Sequence, residues 1–253
     1  MASRPTISAI IITKDEEHNI RECLESVSWM DEIVVLDSGS SDRTVEIARE
    51  FTPEVFVTDW PGYGAQKNRA LDKAKCEWIF SLDADERVTP ELRQEIESAI
   101  SSAEHPGYRI PRLSSYCGRF MKHGGWWPDY VTRLAKRKHC RFSDSLVHES
   151  LIIDGTMGTF SSPIIHYTYR TMDDVTMMIH RYSSASAHMM FEKGKSSSVS
   201  KAIGRSIWSF IRTYLLKLGF LDGREGFMLA ISNSQLAFYK YLKLYFLNKF
   251  SGK

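Results

Sequence analysis

Two aspartates separated by a single alanine, Asp83 and Asp85, follow the apolar run Trp78-Ile79-Phe80-Ser81-Leu82. The pattern carries chemistry because Mg2+ and Mn2+ take oxygen ligands, usually one or two carboxylates completed by phosphate oxygens and water. In a loop that breaks strict β alternation, carboxylates at i and i+2 can both reach one crevice. One can hold the cation and the other a ribose or a metal-bound water. Such a cation neutralises the charge that builds on a nucleoside diphosphate as it leaves. A bare pair of this kind reads more simply as a solvated turn before the helix that Pro90 opens. The elements in front of the pair decide between the two.

Those elements alternate between two periodicities. Residues 7–12, 33–36, 55–57 and 78–82 are short apolar runs rich in β-branched and aromatic side chains, the mark of buried strands. Helical spacing follows each of them: Lys14 to Val27, a stretch from about Asp42, Gln66 to Lys75, and the amphipathic segment after Pro90. Four βα units in succession predict a parallel, doubly wound α/β sheet with helices on both faces. Ligands bind such sheets at the carboxyl ends of the strands. Asp15, Asp37 and Asp83 all stand at or just past such ends, so three acidic side chains converge on one crevice. Residues 104–170 read as shorter strands broken by Gly and Pro, a mixed or antiparallel extension. From about Met172 the pattern is helical, with a Lys/Ser-rich break at 193–200.

Composition sets bounds on function. The 253 residues carry a net charge of +2, but residues 1–100 hold 11 Lys+Arg against 21 Asp+Glu, and the rest hold 22 against 10. An acidic front and a basic back imply two jobs in one chain. Cys23, Cys76, Cys117 and Cys140 form no CxxC pair, and free thiols in a reducing cytoplasm are expected. Neither a signal-peptide pattern nor an uninterrupted apolar window of about 18 residues is present, so no transmembrane helix is predicted. A dehydrogenase is excluded: Thr13-Lys14-Asp15-Glu16 stands where a glycine-rich pyrophosphate loop would be, and its acids would repel a diphosphate.

Three motifs together carry a family resemblance. Residues 11–20 (IITKDEEHNI), 34–44 (VVLDSGSSDRT) and 82–86 (LDADE) are similar, in order and spacing, to family 2 glycosyltransferases, inverting enzymes of the GT-A fold. The likeness covers roughly residues 5–100. It implies that Thr13, Glu16 and Asp37 contact the base and ribose of a nucleotide sugar, and that Asp83 and Asp85 hold ribose, metal (Mg2+ or Mn2+) and diphosphate. Asp15 stands where the family often has Asn. Residues 66–70 fit the same picture: they open a helix after a glycine loop, where free N–H groups and the dipole favour phosphate. Lys67 and Asn68 therefore join the expected nucleotide-sugar site.

An inverting transfer needs one carboxylate to deprotonate the acceptor hydroxyl. Glu149 in Val147-His148-Glu149 is the favoured base and Asp129 in Trp127-Pro128-Asp129 the second candidate, with an ion pair to Arg133 as the structural alternative for Asp129. Both segments, with Arg133-Leu134, His166-Tyr167 and Gly219-Phe220-Leu221-Asp222-Gly223, resemble lipopolysaccharide inner-core β-1,4-glucosyltransferases within the family. That resemblance implies a UDP-glucose donor and a lipopolysaccharide core glycolipid acceptor, with another surface polysaccharide or a polyprenyl-linked glycan as the alternative. A catalytically inactive nucleotide-binding module is the non-enzymatic alternative, against which the intact Asp83, Asp85 and Glu149 count. Trp126, Trp127 and Arg133 are the acceptor-binding candidates, the tryptophans by stacking on a sugar or else by core packing. His166, just past Ile164-Ile165, is the candidate third metal ligand beside Asp83 and Asp85.

The expected organisation is a GT-A domain over 1–170, with 1–100 as its nucleotide-sugar half and 101–170 as its acceptor half, and a basic, aromatic-rich helical region over 171–253. From Lys193 onward, 11 Lys+Arg face only Asp222 and Glu225 and are interleaved with Leu, Phe, Tyr and Trp. Helices of that kind suit the interface of an anionic membrane. The expectation is peripheral attachment to the cytoplasmic face of a bacterial inner membrane; packing on the sheet or on a second subunit is the alternative, so a homo-oligomer stays open. Nucleic acid is not expected as a partner, since no recognition motif is present and the front half is acidic.

Overall fold

The computed structural model describes residues 4–143 and 150–251. The chain divides into two compact units, one made of the described residues of 1–112 and 129–166, the other of those of 113–128 and 167–253.

The first unit begins with β1 (Ile7–Thr13), α1 (Ile20–Val27), β2 (Glu32–Asp37), α2 (Thr44–Arg49), β3 (Val55–Val57), α3 (Tyr63–Lys73) and β4 (Trp78–Asp83). After β4 come β5 (Glu86–Val88), α4 (Pro90–Ser102) and β6 (Gly107–Tyr116), the last contributing Gly107 to Arg112 to this unit. β7 (Arg119–Phe120) belongs to the second unit, and β8 (Asp129–Lys136), β9 (Cys140–Phe142), β10 (Leu151–Ile153) and β11 (Met157–Thr159) return to the first. β12 (Ile164–Tyr169) gives it residues 164–166.

Strand order is β3-β2-β1-β4-β8-β6-β12-β5. The first four strands run parallel, as the βα repeats predict. β8 then pairs antiparallel with both β4 and β6, and β12 pairs antiparallel with β5. The α/β class and the mixed sheet expected from the sequence are both present.

Every residue of β1 is buried, and its alternation supplies both faces of the sheet. Ile7, Ala9 and Ile11 pack with Cys23 and Leu24 of α1 and Leu92 and Ile96 of α4. Ile10 and Ile12 pack with Ala70 and Leu71 of α3 on the opposite face. A strand buried on both sides reads as a continuous apolar run, and β1 does. α4 starts on Thr89, whose side chain accepts from the Leu92 amide, with Pro90 in its first turn.

Two local differences from the sequence reading concern the site. Helical spacing from Lys14 gives way to a loop up to Asn19, and α1 starts only at Ile20. Asp15 takes a left-handed backbone (φ 53°), and the amides of Asp15, Glu16 and Glu17 donate to Ser40 Oγ, Thr44 Oγ1 and Asp42 Oδ2. Side chains from the β2–α2 loop and the first residue of α2 thus replace the helical ladder. Second, β5 is a buried strand paired with β12 where the sequence reading assigned no element.

The second unit contains α5 (Met172–Glu192), α6 (Val199–Ile211) and α7 (Gly223–Ser251). Tyr116, Met121, Val175, Ile179 and Leu229 form its core, where the Tyr116 hydroxyl lies 2.8 Å from Ser232 Oγ. Among the described residues no helix is long and apolar enough to cross a membrane.

Phe80 is fully buried in the first unit's core, whereas Val57 is 55% exposed. Phe80→Ala is expected to cost about 3–5 kcal/mol and Val57→Ala no more than about 0.5 kcal/mol, read as changes in urea unfolding midpoint at constant slope.

Candidate active site

Asp83 closes β4, and its register partner on β1 is Ile12, one residue before Thr13. Its carboxylate is held between two cations. Lys67, reaching from α3, sits with Nζ 2.9 Å from Oδ1, and Arg133 of β8 donates to Oδ2. Both cations are buried. Burial pushes the Asp83 carboxyl up, but Arg133 and then Lys67 outweigh it and hold the group well below the ordinary carboxylate range. Burial lowers the Arg133 guanidinium, and Asp83 and Glu86 overcome that to keep it firmly charged.

The pairing continues beyond Asp83. Arg133 Nη2 also donates to Glu86 Oε1 at 2.6 Å, and Glu86 is completely buried on β5. The other carboxylate oxygen of Glu86 accepts the Asp83 amide at 3.1 Å. Arg112 of β6 lies 3.5 Å from Glu86 and donates to Asp129 at 2.6 and 3.0 Å. Asp129 is therefore ion-paired, but to Arg112 rather than Arg133. Lys67, Asp83, Arg133, Glu86, Arg112 and Asp129 form a chain of alternating charge across five elements of the first unit.

Around the turn, Arg87 donates to the carbonyls of Ala84 (2.9 Å) and Asn19 (2.7 Å), tying the aspartate loop to the start of α1. Asp85 Oδ2 lies 3.2 Å from His166 Nε2. The aspartate and the histidine expected to share a metal are thus adjacent, while the oxygens of Asp83 face cations. Among the described residues no group of three or more His, Cys, Asp or Glu side chains is arranged to hold a metal ion. The Asp85 carboxylate is the oxygen ligand that Mg2+ and Mn2+ take, with phosphate oxygens and water to complete the set, and the His166 imidazole is the weaker match to those ions.

The remaining expected residues sort as follows. Asp37 is buried and accepts from the amides of Gly39 (2.9 Å) and Ser40 (2.8 Å), which shapes the loop after β2. The Thr13 hydroxyl is buried with no hydrogen-bond partner among the described residues, and Glu16 accepts from Asn19 at 2.7 Å. Asn68 bonds the Phe142 backbone in both directions (3.0 and 2.9 Å), so its amide clasps β9. Trp126 packs edge-on against Tyr116 (5.9 Å between centroids) within the second unit, to which Trp127 also belongs. Glu149 lies outside the described residues. All four cysteines are free.

Sequence reasoning missed Glu86, Arg87 and Arg112. A signal existed for the first two: no Gly, Asn or Ser separates Asp85 from Pro90, so Glu86-Arg87-Val88 reads as well as a strand as a turn.

A parallel half whose strands end on Asp37 and Asp83, continued by an antiparallel half, is the GT-A layout of an α/β transferase. The sequence pattern of the family "Glycosyl transferase family 2" matches residues 8–155, and the chain belongs to that family; it is a glycosyltransferase. It is similar to the lipopolysaccharide core biosynthesis glycosyltransferase LpsC of Rhizobium meliloti (strain 1021), at 31% identity over 97% of this chain and 94% of that one. It is also similar to the uncharacterized glycosyltransferase RP128 of Rickettsia prowazekii (strain Madrid E), at 30% identity over 94% of this chain and 85% of the other. Among solved structures it is similar to S. aureus TarS 1-349 in complex with UDP-GlcNAc, with a TM-score of 0.49, 13% identity and coverage of 98% and 92%.

Removing Arg133 takes from buried Glu86 its 2.6 Å cation and leaves it the Asp83 amide and Arg112 at 3.5 Å. Arg133→Met is expected to destabilise by about 3–5 kcal/mol in chemical denaturation. The folded carboxyl of Asp83 titrates below its unfolded value near pH 4, so its contribution is whole above that pH and is lost as the pH falls through the folded value. Stability of Arg133→Met should therefore fall less steeply below about pH 4 than that of the native chain.

Proposed function

We propose that the chain transfers a hexose, glucose from UDP-glucose, with inversion to a hydroxyl of a lipopolysaccharide core glycolipid. The observation that carries the donor half is the Asp83–Asp85 turn, with Asp83 locked between Lys67 and Arg133 and Asp85 beside His166. The acceptor half is supported by the similarity to LpsC along 97% of the chain and by the basic helical region, which suits a lipid-borne acceptor at an anionic membrane surface.

In this reading Thr13, Glu16 and Asp37 line the base and ribose subsite, and the buried Thr13 hydroxyl donates to the nucleotide. Asp83, kept ionised by its two cations, takes the ribose hydroxyls. Asp85 and His166 would hold Mg2+ or Mn2+, whose contribution is neutralising the departing diphosphate. The acceptor hydroxyl loses its proton to Glu149, the oxygen attacks the anomeric carbon from the face opposite the diphosphate, and UDP departs with the bonding electrons. Asp129 is the less available base because Arg112 already engages it. Trp126, Trp127 and Asn68 then act chiefly by packing and positioning.

UDP release from UDP-glucose, with core glycolipid as acceptor, tests this reading. Mn2+ should support turnover and EDTA should abolish it. Asp85→Ala and Glu149→Gln should each lose about 10²-fold or more in kcat, with Asp129→Asn losing less. Equal activity in EDTA and Mn2+ overturns the metal role, and an unchanged rate for Glu149→Gln removes it as base. Turnover from a GDP- or ADP-sugar in preference to UDP-glucose overturns the donor.

A further inference from the structure

Helix α6 is inside out. Ala202 is the one residue of α6 that is fully buried, and the contacts α6 makes with α7 are led by small and hydroxyl side chains, with Lys201 and Arg205 over the Tyr241 ring. Ser206 Oγ meets Ser234 Oγ at 2.8 Å, Ser209 Oγ donates to the Asn233 carbonyl at 3.1 Å, and Asn233 donates to Thr213 Oγ1 at 3.3 Å. Three of its large apolar side chains point the other way: Ile203, Ile207 and Trp208 are 48%, 56% and 51% exposed, while Phe210 packs edge-on against Phe227 of α7 (5.9 Å between centroids). A helix packing into a water-soluble core puts those residues inside.

The corner between α6 and α7 continues the surface. Leu215, Leu216, Leu218, Phe220 and Leu221 are 45–61% exposed within seven residues. The corner is held rigidly from behind. Asp222 is buried, accepts from the amides of Lys122 (3.1 Å) and His123 (2.7 Å), and lies 3.0 Å from the His123 ring. Gly219 and Gly226 cross so closely that a Cβ on Gly226 would sit 1.8 Å from the Gly219 carbonyl oxygen. Exposed Leu and Phe held on a braced corner form a contiguous patch, and a patch of that kind marks a contact surface.

Charge selects the occupant. Lys201, Arg205, Arg212, Lys217 and Arg224 are exposed along the same segment. The acids there are Asp222, already engaged, and Glu225. Two copies meeting on this face would bring like charges together, whereas an anionic lipid surface accepts both the cations and the apolar side chains. We propose that α6 and the α6–α7 corner form a membrane-seating surface, in which Ile207, Trp208, Leu215 and Leu216 enter the headgroup boundary of an anionic bilayer and the flanking Lys and Arg hold lipid phosphates. This deepens the glycolipid reading above, on which its biological sense rests, but its physical basis is the helical unit alone.

Vesicle flotation of the full chain tests it, with phosphatidylglycerol and phosphatidylcholine in equal parts against phosphatidylcholine alone. Native protein should float with the anionic vesicles and bind the neutral ones at least about tenfold more weakly, an effect that high salt reduces. Ile207→Asp with Leu216→Asp, both at exposed positions, should abolish flotation. Arg212→Glu or Lys217→Glu should each weaken it about fivefold or more. Brominated lipid should quench native fluorescence more than that of Trp208→Phe. Flotation of Ile207→Asp/Leu216→Asp equal to native, no flotation by the native chain, or a native dimer that this double variant dissolves, each overturns the proposal. Transfer to a detergent-soluble acceptor separates the two readings: its absence sinks the glycolipid acceptor while leaving the flotation result standing.

Discussion

An aspartate placed between two buried cations is the constraint around which the first unit is organised. A lysine or arginine taken out of water is costly unless a carboxylate meets it with good geometry, and the reverse holds for Glu86. Lys67 and Arg133 are both buried, and Asp83 answers both. Because Arg133 also answers Glu86, and Arg112 links Glu86 to Asp129, the parallel half that supplies Asp83 cannot shift against β8, β5 or β6 without separating charges in a poorly solvated place. The functional consequence is positional: Asp83 is fixed in place and kept ionised, and the turn carrying Asp85 starts from that fixed point, with Arg87 gripping the Ala84 carbonyl between them.

How much of this could be read in the sequence depended on whether a residue's role was local or distant. β1, β2 and β4 were legible because a strand buried on both faces leaves an apolar run, and the aspartates that end β2 and β4 followed from that placement. The switch to antiparallel pairing after β4 was expected from short, Gly- and Pro-broken pieces, although β6 and β8 are longer than that reading and β6 runs through Pro111. The loop from Lys14 to Asn19 was misread as helix because its amides are satisfied by Ser40, Thr44 and Asp42, residues more than twenty positions away that no local periodicity reveals. β5 was missed for a related reason: Glu86 and Arg87 look like surface charge until Arg133, Arg112 and the Asn19 carbonyl are brought to them.

The same distinction explains the site. Asp85 and His166 were nominated together as metal ligands and stand 3.2 Å apart, because β12 pairs with β5 and sets His166 opposite Glu86, the residue after Asp85. Arg133 was nominated for the acceptor and serves Asp83 and Glu86; the sequence shows a basic residue on a strand, but its partner is decided by the pairing of β8 with β4. In the helical unit, composition indicated a basic, aromatic-rich surface, whereas the inversion of α6 is a matter of which face meets α7. Gly219-Phe220-Leu221-Asp222-Gly223, noticed first as a string, acquires a physical meaning as a braced corner.

The central claim is that Asp83, held ionised by Lys67 and Arg133, together with Asp85, forms the receptor for a uridine diphosphate and its cation. Calorimetric titration of UDP into the native chain and into Asp83→Asn, each with Mn2+ and with EDTA, tests it most directly because no acceptor is required. The account predicts tight binding by the native chain in Mn2+, a loss of at least about tenfold, or 1.4 kcal/mol, in EDTA, and a comparable loss in Asp83→Asn while its fold is retained. Native affinity that is the same in EDTA as in Mn2+, and unchanged by Asp83→Asn, would contradict it.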